Sequence, residues 1–171
     1  LTDDEKLAEK ARYLTTQAKD DRIRYIHNEI GYNFRLTNIQ SALGVAQLEQ
    51  LPGFLERKRE IYFQYQAALN GQDGLTIADV PDYADNNHWM NLLYINSKTF
   101  YKNIEQIMEQ LRKNGIQTRP VWNLNHLQNP FINFQNYTIN KAKELLAKSL
   151  CLPSSTNLNN QNLKDITNLL Y

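Results

Sequence analysis

A polar and aromatic loop that runs directly into a helix of small residues is the feature that most restricts the fold of this chain. The loop covers residues 31–35 and has the sequence GYNFR. A helix is predicted to begin at Thr37, because Thr37 and Gln40 have the spacing of a capping box. Gly44 lies inside that helix, where glycine costs ~1 kcal/mol relative to alanine, so it predicts close approach of another element. We therefore expect a loop that offers hydrogen bonds, carried by a closely packed helix.

Composition narrows the class of protein. The chain has 171 residues, of which 42% are hydrophobic, enough for one ordinary domain or for the end of one domain and a small second one. Its formal net charge is +1, from 19 basic and 18 acidic residues, so no general attraction to nucleic acid or to a membrane surface is expected. No apolar run approaches the ~20 residues of a membrane span. The single cysteine, Cys151, excludes an internal disulfide and is expected to be a buried apolar residue in a protein of the cytoplasm.

The first half of the chain is predicted to be largely helical. Apolar residues recur at helical spacing over residues 3–17. Residues 18–35 lose this period and are predicted to form a loop, with a short extended piece near residues 24–27. Pro52 is expected to end the helix that begins at Thr37 or to start a new one, because proline cannot donate a helical hydrogen bond. A second helix is then expected over residues 53–70, ended by Gly71.

The second half changes character. Residues 72–87 are rich in turn formers, and the apolar run WMNLLYI at 89–95 predicts a buried strand. A strand is also expected at 116–118, and residues 119–137 are expected to form a loop with one helical turn. Helices are predicted at three places: residues 100–114, 137–150 and 159–171. This order favours a small α/β or α+β layer after a helical first part.

A second cluster of chemically capable residues lies at 118–126. Arg119 offers a planar fork for a carboxylate or phosphate, and Trp122 offers a flat face for a base or sugar. His126 follows four residues later. The alternatives are structural: residues 31–35 could be a surface turn, and residues 118–122 a strand end with a core tryptophan. Taken together, the two clusters indicate a small anionic ligand with a flat or sugar-like part.

Common catalytic and metal motifs do not occur in this sequence. The three histidines, at positions 27, 88 and 126, have no metal-site spacing, and no metal is expected. GxGxxG, P-loop and GxSxG patterns do not occur either. A nucleophile with its base cannot be assigned from the residues alone.

The two clusters resemble those of the DegT/DnrJ/EryC1/StrS family of nucleotide-sugar aminotransferases, which use pyridoxal 5'-phosphate. The likeness begins in LTDDEKLAEKARYL and continues through HNEIGYNFRLTNIQSALGVAQLEQLPGFLERKREIYFQY. The segments IQTRPVWNLNHLQNP and CLPSS resemble the subgroup that aminates UDP-linked 4-keto-6-deoxy-N-acetylhexosamines in bacillosamine and legionaminic acid pathways. The resemblance implies an α/β fold, the C-terminal portion of a fold-type I pyridoxal-phosphate transferase. Its parts would be the end of the large domain at 1–52, a connecting helix at 53–70 and a small domain at 71–171.

The resemblance also implies roles for individual residues. Asn33 would reach across a homodimer interface to the cofactor phosphate of the other subunit, and Tyr32 and Arg35 would shape that site. A second group would line the pocket for the nucleotide sugar or the amino donor: Arg119, Trp122 and His126. The reaction would transfer an amino group from glutamate to a UDP-linked sugar ketone in bacterial surface-glycan biosynthesis.

The family's Schiff-base lysine has no counterpart in these 171 residues. That lysine, the aspartate partner of the cofactor's ring nitrogen and the aromatic residue on the ring would all precede Leu1. We therefore expect this chain to be inactive by itself and to be part of a longer enzyme. Two other interpretations stay open: a noncatalytic interaction module that binds through the 37–51 helix, and a regulatory relative that has lost transamination.

Overall fold

The structure is a computed structural model, and it describes residues 1–21 and 23–171. The chain divides into two compact units, Leu1–Gln50 and Leu51–Tyr171. Arg22, which falls within the predicted loop, lies outside the described residues. None of the helices in the described ranges is both long enough and apolar enough to cross a membrane.

The first unit begins with helix α1, Glu5–Thr15. The side chain of Asp4 caps it by accepting the backbone N–H groups of Lys6 at 2.9 Å and Leu7 at 3.1 Å. The helix is followed by Gln17 and Ala18, whose φ angles of 70° and 46° lie in the left-handed region. Two successive residues of this kind reverse the chain, so the predicted helix is confirmed but ends before residue 17.

The loop that follows α1 contains a turn where an extended piece was predicted. The carboxylate of Asp21 accepts the backbone N–H groups of Ile23 at 2.8 Å and Arg24 at 2.9 Å. An aspartate that bonds to the backbone two and three residues ahead stabilises a turn. The predicted extended piece at 24–27 is therefore wrong, apart from an isolated bridge between Asp21 and Ile26.

Helix α2, Asn38–Leu69, crosses the boundary between the units. The predicted capping box is confirmed: Thr37 N–H donates to Gln40 Oε1 at 2.9 Å, and Gln40 N–H donates to Thr37 Oγ1 at 3.3 Å. The predicted break at Pro52 is wrong, because the helix runs through it. Proline has a helical φ, and at this exposed position the carbonyl that loses its donor can be hydrated. Apart from the adjoining backbone of α2 itself, no described residue lies within 4 Å of the Cβ position of Gly44, so the predicted close approach is not made by this part of the chain.

The second unit is built on a four-stranded antiparallel sheet in the order β1-β2-β4-β3. The strands are β1 Leu75–Ile77, β2 Asn91–Ile95, β3 Arg119–Pro120 and β4 Ser149–Leu152. β1 lies in a stretch predicted to be rich in turns, where no strand was expected, and β4 includes residues assigned to the end of a helix. The strand predicted at 116–118 forms at residues 119–120 instead. Strands this short are stabilised by pairing with distant residues, which local sequence patterns do not reveal.

Three shorter helices complete the second unit: α3 Ile104–Lys113, α4 Lys141–Leu146 and α5 Asn160–Asn168. Capping boxes begin α3, at Asn103 and Gln106, and α5, at Asn159 and Asn162. The asparagine-rich run at 159–162 therefore has a structural use as a helix start. The predicted helix at 137–150 is confirmed only for α4, because residues 149 and 150 belong to β4.

The hydrophobic core lies in the second unit. It brings together the second half of α2, one face of the sheet and the inner faces of α3 and α5. Along β2 the residues Asn91, Leu93 and Ile95 are buried and alternate with partly exposed ones, as expected for a sheet with one covered face. Cys151 is buried as predicted, and burial raises the pKa of its thiol.

His88 makes the stability of this unit depend on pH. Its ring stacks on Tyr62 with 4.2 Å between centroids, and the residue is 8% exposed. Burial, and then the charge of Arg59, lower the pKa of His88 in the folded protein. As the pH falls below about 6.5, the unfolded chain therefore takes up a proton before the folded one does. The stabilisation contributed by neutral His88 is present above that pH and is lost as the pH falls towards the lowered pKa.

We expect His88→Phe, which keeps an aromatic ring against Tyr62, to reduce the loss of stability between about pH 7.5 and about pH 5.5. The difference is measured from the denaturant midpoints of the unsubstituted protein and of the variant at both pH values. His27→Phe, in the other unit, serves as the control. An equal loss of stability in the unsubstituted protein and in the His88 variant would show that His88 does not cause the pH dependence.

Candidate functional site

The loop at residues 31–35 is fixed by its backbone to the end of α1. Tyr32 N–H donates to the carbonyl of Leu14 at 2.7 Å, and Phe34 N–H donates to that of Thr15 at 3.1 Å. Gln17 N–H donates to the carbonyl of Tyr32 at 3.0 Å. These three hydrogen bonds hold the loop in position without using its side chains.

The side chains of this loop are therefore available to bind something else. The rings of Tyr32 and Phe34 stack at 5.1 Å with 13° between their planes, which places them on one side of the segment. Successive residues of an extended segment face opposite sides, so Asn33 belongs to the other side. Both Asn33 and Arg35 are exposed. Within the described ranges, neither side chain has a hydrogen-bonding or ionic partner, so each can offer its N–H groups to an acceptor.

Arg119 lies at the edge of the sheet in the second unit. Strand β3 pairs only with β4, with Arg119 opposite Cys151 and Pro120 opposite Leu150. An edge strand tolerates Pro120, because proline has no N–H for a second neighbour. Arg119 is exposed, and no carboxylate among the described residues lies within ion-pair distance of its guanidinium group. Arg119 therefore places an unpaired positive charge beside the edge of the sheet.

Trp122 lies beside Trp89, a residue that the sequence patterns assigned to a buried strand. The two ring systems are 6.1 Å apart and tilted by 38°, and their exposed fractions are 60% and 64%. The strand begins only at Asn91, so Trp89 precedes it and turns its ring to solvent.

Lys58 and Ser154 fix the backbone of Trp89. The Trp89 carbonyl accepts Ser154 Oγ at 2.7 Å and Lys58 Nζ at 3.3 Å. Lys58 Nζ also donates to Ser154 Oγ at 3.1 Å and to the Ser154 carbonyl. Burial lowers the pKa of Lys58, and all of these acceptors are neutral oxygens. This contact could not be predicted from local sequence patterns, because Lys58 and Ser154 are far apart along the chain.

Arg119 and His126 line different cavities. Arg119, Thr118 and Ser154 border a small cavity of about 190 Å³ at the edge of the sheet. His126 is in the single helical turn Asn125–Leu127 and borders another cavity with Phe131 and Phe134. Its Nε2 atom is buried, and no described residue is within hydrogen-bonding distance of it. The common substrate pocket implied for Arg119, Trp122 and His126 thus stays a prediction.

The two clusters belong to different units of the chain. Residues 31–35 lie in the first unit, and Arg119, Trp122 and His126 lie in the second. Across residues 1–21 and 23–171, no three histidine, cysteine or carboxylate side chains come together in a way that could hold a metal ion.

The chain belongs to the DegT/DnrJ/EryC1/StrS aminotransferase family, because its residues 1–171 match the sequence profile of that family. The resemblance predicted from the two clusters is thereby confirmed.

Two curated relatives and one solved structure illustrate the match. EpsN of Bacillus subtilis (strain 168), named as a pyridoxal phosphate-dependent aminotransferase, is 34% identical over 165 residues, which cover 92% of this chain and 41% of EpsN. GDP-perosamine synthase of Escherichia coli O157:H7 is 31% identical over 162 residues, covering 94% of this chain and 43% of the synthase. The Helicobacter pylori aminotransferase PseC, involved in pseudoaminic acid biosynthesis, superposes with a TM-score of 0.75 at 24% identity, over 99% of this chain and 46% of PseC.

These comparisons confirm two further predictions. The α/β fold class is that of the pyridoxal-phosphate-dependent sugar aminotransferases. Pyridoxal 5'-phosphate is the cofactor of this family, as expected. The chain spans less than half the length of the curated relatives described above.

Proposed function

We propose that this chain is part of a pyridoxal-phosphate-dependent aminotransferase that moves an amino group from glutamate to a UDP-linked 4-keto-6-deoxy-sugar. The parent enzyme would work as a homodimer in the cytoplasm and serve bacterial surface-glycan biosynthesis. The observation that carries this proposal is the loop at 31–35. Its backbone is held by α1, while Asn33 and Arg35 keep free donors in a chain that belongs to an aminotransferase family.

The residues of this loop fit the phosphate group of the cofactor. A phosphate offers only acceptor oxygens, and charge-assisted hydrogen bonds to such oxygens are about twice as strong as neutral ones. Asn33 and Arg35 offer an amide and a guanidinium group on a segment fixed by three backbone hydrogen bonds. When bound, the cofactor supplies the electron sink for amino transfer. The role of this chain would be to bind that phosphate across the subunit interface. The loop of one subunit would contact the cofactor in the site of the other.

The second unit would bind the sugar substrate. Arg119 provides a cation for the diphosphate, and Trp122 provides an exposed aromatic face for a flat group. His126 would contribute from its own cavity at the helical turn 125–127. The choice of a UDP-linked substrate rests on the likeness of residues 116–130 and 151–155 to the UDP-sugar subgroup. The family relatives include enzymes whose names give other nucleotides, such as GDP-perosamine synthase.

The location of the catalytic lysine is part of the same proposal. None of the residues with a proposed binding role is a lysine. Lys58 donates hydrogen bonds to the carbonyl groups of Trp89 and Ser154. We propose that the lysine and the aspartate required for catalysis are supplied by a part of the enzyme outside these 171 residues. The chain by itself would then be inactive.

One observation is equally compatible with an alternative in which the chain is an interaction or regulatory module. Several large apolar side chains just before and within the first part of α2 are more than half exposed: Leu36, Ile39, Leu43, Val45 and Leu48. Such a surface is typical of a protein contact. A dimeric enzyme and a noncatalytic module both explain it, and only catalytic turnover by the full-length protein separates them.

We expect Asn33→Ala in the full-length protein to weaken retention of the cofactor by roughly 10- to 100-fold, since a hydrogen bond to a charged group contributes about 1.5–3 kcal/mol. Equilibrium dialysis of the loaded enzyme measures the dissociation constant. Asn140→Ala is the matched control, because Asn140 is exposed and makes no side-chain cap contact. Equal cofactor retention in both variants would count against the proposed role of Asn33.

A further inference from the structure

Trp89 and Trp122 form an exposed aromatic surface on the second unit. Their ring systems are 6.1 Å apart, and more than half of each side chain is open to solvent. Large aromatic side chains are normally buried, so two neighbouring exposed ones indicate a surface that binds something. The tilt of 38° and the short separation leave no gap for a ligand between the rings. A ligand would therefore lie on their outer face.

The backbone of Trp89 is fixed on both sides, which distinguishes it from a mobile surface residue. Its carbonyl accepts Ser154 Oγ and Lys58 Nζ, at 2.7 Å and 3.3 Å. Its N–H donates to Asn87 Oδ1 at 3.0 Å. Lys58 keeps this contact although burial lowers its pKa. A flat ring on a rigid backbone loses little conformational entropy when a ligand stacks on it.

The neighbouring surface is suited to an anion. Arg119 and Ser154 line the cavity of about 190 Å³, and Met90, next to Trp89, is part of the same wall. Thr118 also faces this cavity, and its Oγ1 atom is buried with no hydrogen-bond partner among the described residues. The free guanidinium group of Arg119 can donate hydrogen bonds to phosphate oxygens at this cavity. The cavity has room for a phosphate group but not for a whole nucleotide.

We propose that Trp89, together with Trp122, is the surface on which the nucleobase of the nucleotide sugar stacks, with the diphosphate beside Arg119 and Thr118. This assignment rests on the proposed function and adds Trp89 to the substrate-binding residues. An aromatic ring can stack on any base, so this surface supplies affinity, while other groups select uracil. The rival occupant is protein, either a second copy of this chain or another part of the enzyme covering the two rings.

The test compares a ligand that has a base with one that lacks it. In the full-length, cofactor-loaded enzyme, calorimetry measures the dissociation constants of UDP and of inorganic pyrophosphate. Loss of one stacking contact predicts roughly 5- to 150-fold weaker UDP binding for Trp89→Leu, with unchanged pyrophosphate binding. Trp89→Phe keeps an aromatic face and should retain most of the UDP affinity. Arg119→Gln should weaken both ligands.

Three results would overturn the inference. One is unchanged UDP affinity in Trp89→Leu, and another is an equal loss of UDP and pyrophosphate affinity in that variant. The third is a change of oligomeric state with unchanged nucleotide affinity, which would assign the rings to a protein contact. If the full-length enzyme transaminates a UDP-sugar but shows any of these results, the proposed function stands and only the role of Trp89 is rejected. A parent enzyme that binds no nucleotide would contradict both.

Discussion

Replacing Gly31 with alanine is expected to displace the 31–35 loop and to abolish stable cofactor binding by the full-length protein. A Cβ atom at this position would lie 2.2 Å from the backbone carbon of Gln17 and 2.3 Å from the backbone nitrogen of Ala18. Both contacts are with backbone atoms, so no side-chain rotation can relieve them. The chain beside Gly31 is already the left-handed turn at Gln17 and Ala18, which has little freedom to move.

The size of this effect follows from the bonds that the displaced loop would lose. Three backbone hydrogen bonds join the loop to the end of α1, and each contributes about 1 kcal/mol net. Their joint loss would leave the loop without a fixed position, and with it the donors of Asn33 and Arg35. Gly31→Ala should therefore affect cofactor binding more than Asn33→Ala, although residue 31 has no side chain to bind a ligand.

Hydrogen exchange and cofactor dissociation together measure this result. The amides of Tyr32 and Phe34 should exchange faster in Gly31→Ala, and the cofactor should be lost on dialysis. Gly53→Ala is the matched control, because a Cβ atom there meets nothing within 4 Å and alanine favours a helix by about 1 kcal/mol. Protected amides and full cofactor occupancy in Gly31→Ala would show that the loop is not held as described.

Replacing Leu93 with alanine is expected to destabilise the second unit by about 2–5 kcal/mol. Leu93 is fully buried in β2, between β1 and β4, and belongs to the hydrophobic core. Its replacement removes apolar contacts and leaves a cavity, and both terms oppose folding. Leu92 is the matched control, because it is the next residue of the same strand and is only partly buried. Leu92→Ala should cost clearly less.

This experiment can be made on the polypeptide 51–171. All the core residues lie in this range, whereas Ala18 is the one fully buried apolar residue within the described part of 1–50. We therefore expect 51–171 to unfold cooperatively in urea and residues 1–50 to need other protein surface. Equal unfolding midpoints for the Leu92 and Leu93 variants would contradict the alternation along β2, and a noncooperative transition would contradict an independent core.

The parts of the fold that local chemistry determines could be predicted from the sequence. The capping box at Thr37 and Gln40 needs only residues three apart, and it is present as predicted. Gly71 follows the end of α2 with a φ of 92°, in agreement with the glycine stop expected there. The strands β1 and β4 were missed, because three or four residues have no clear periodicity and are ordered by pairing with β2.

In the candidate site, too, some residues could be predicted from local sequence and others depend on distant contacts. Asn33, Arg35, Arg119 and Trp122 could be selected because their residue types suit an anionic, flat ligand. Trp89 could not, because an apolar run that begins with tryptophan predicts a buried strand. Its backbone carbonyl accepts hydrogen bonds from Lys58 and Ser154, which are distant from it in the sequence. Contacts of this kind are visible only in the folded structure.

The central claim, that the parent protein is a UDP-sugar aminotransferase, is tested most directly by its reaction. The full-length protein, loaded with pyridoxal 5'-phosphate, is incubated with glutamate and a UDP-linked 4-keto-6-deoxy-N-acetylhexosamine, and the products are identified by mass spectrometry. We predict a UDP-linked amino sugar and 2-oxoglutarate in equal amounts, and no product from the 171-residue chain alone. A loaded full-length protein that leaves both glutamate and the ketone unchanged would contradict the claim.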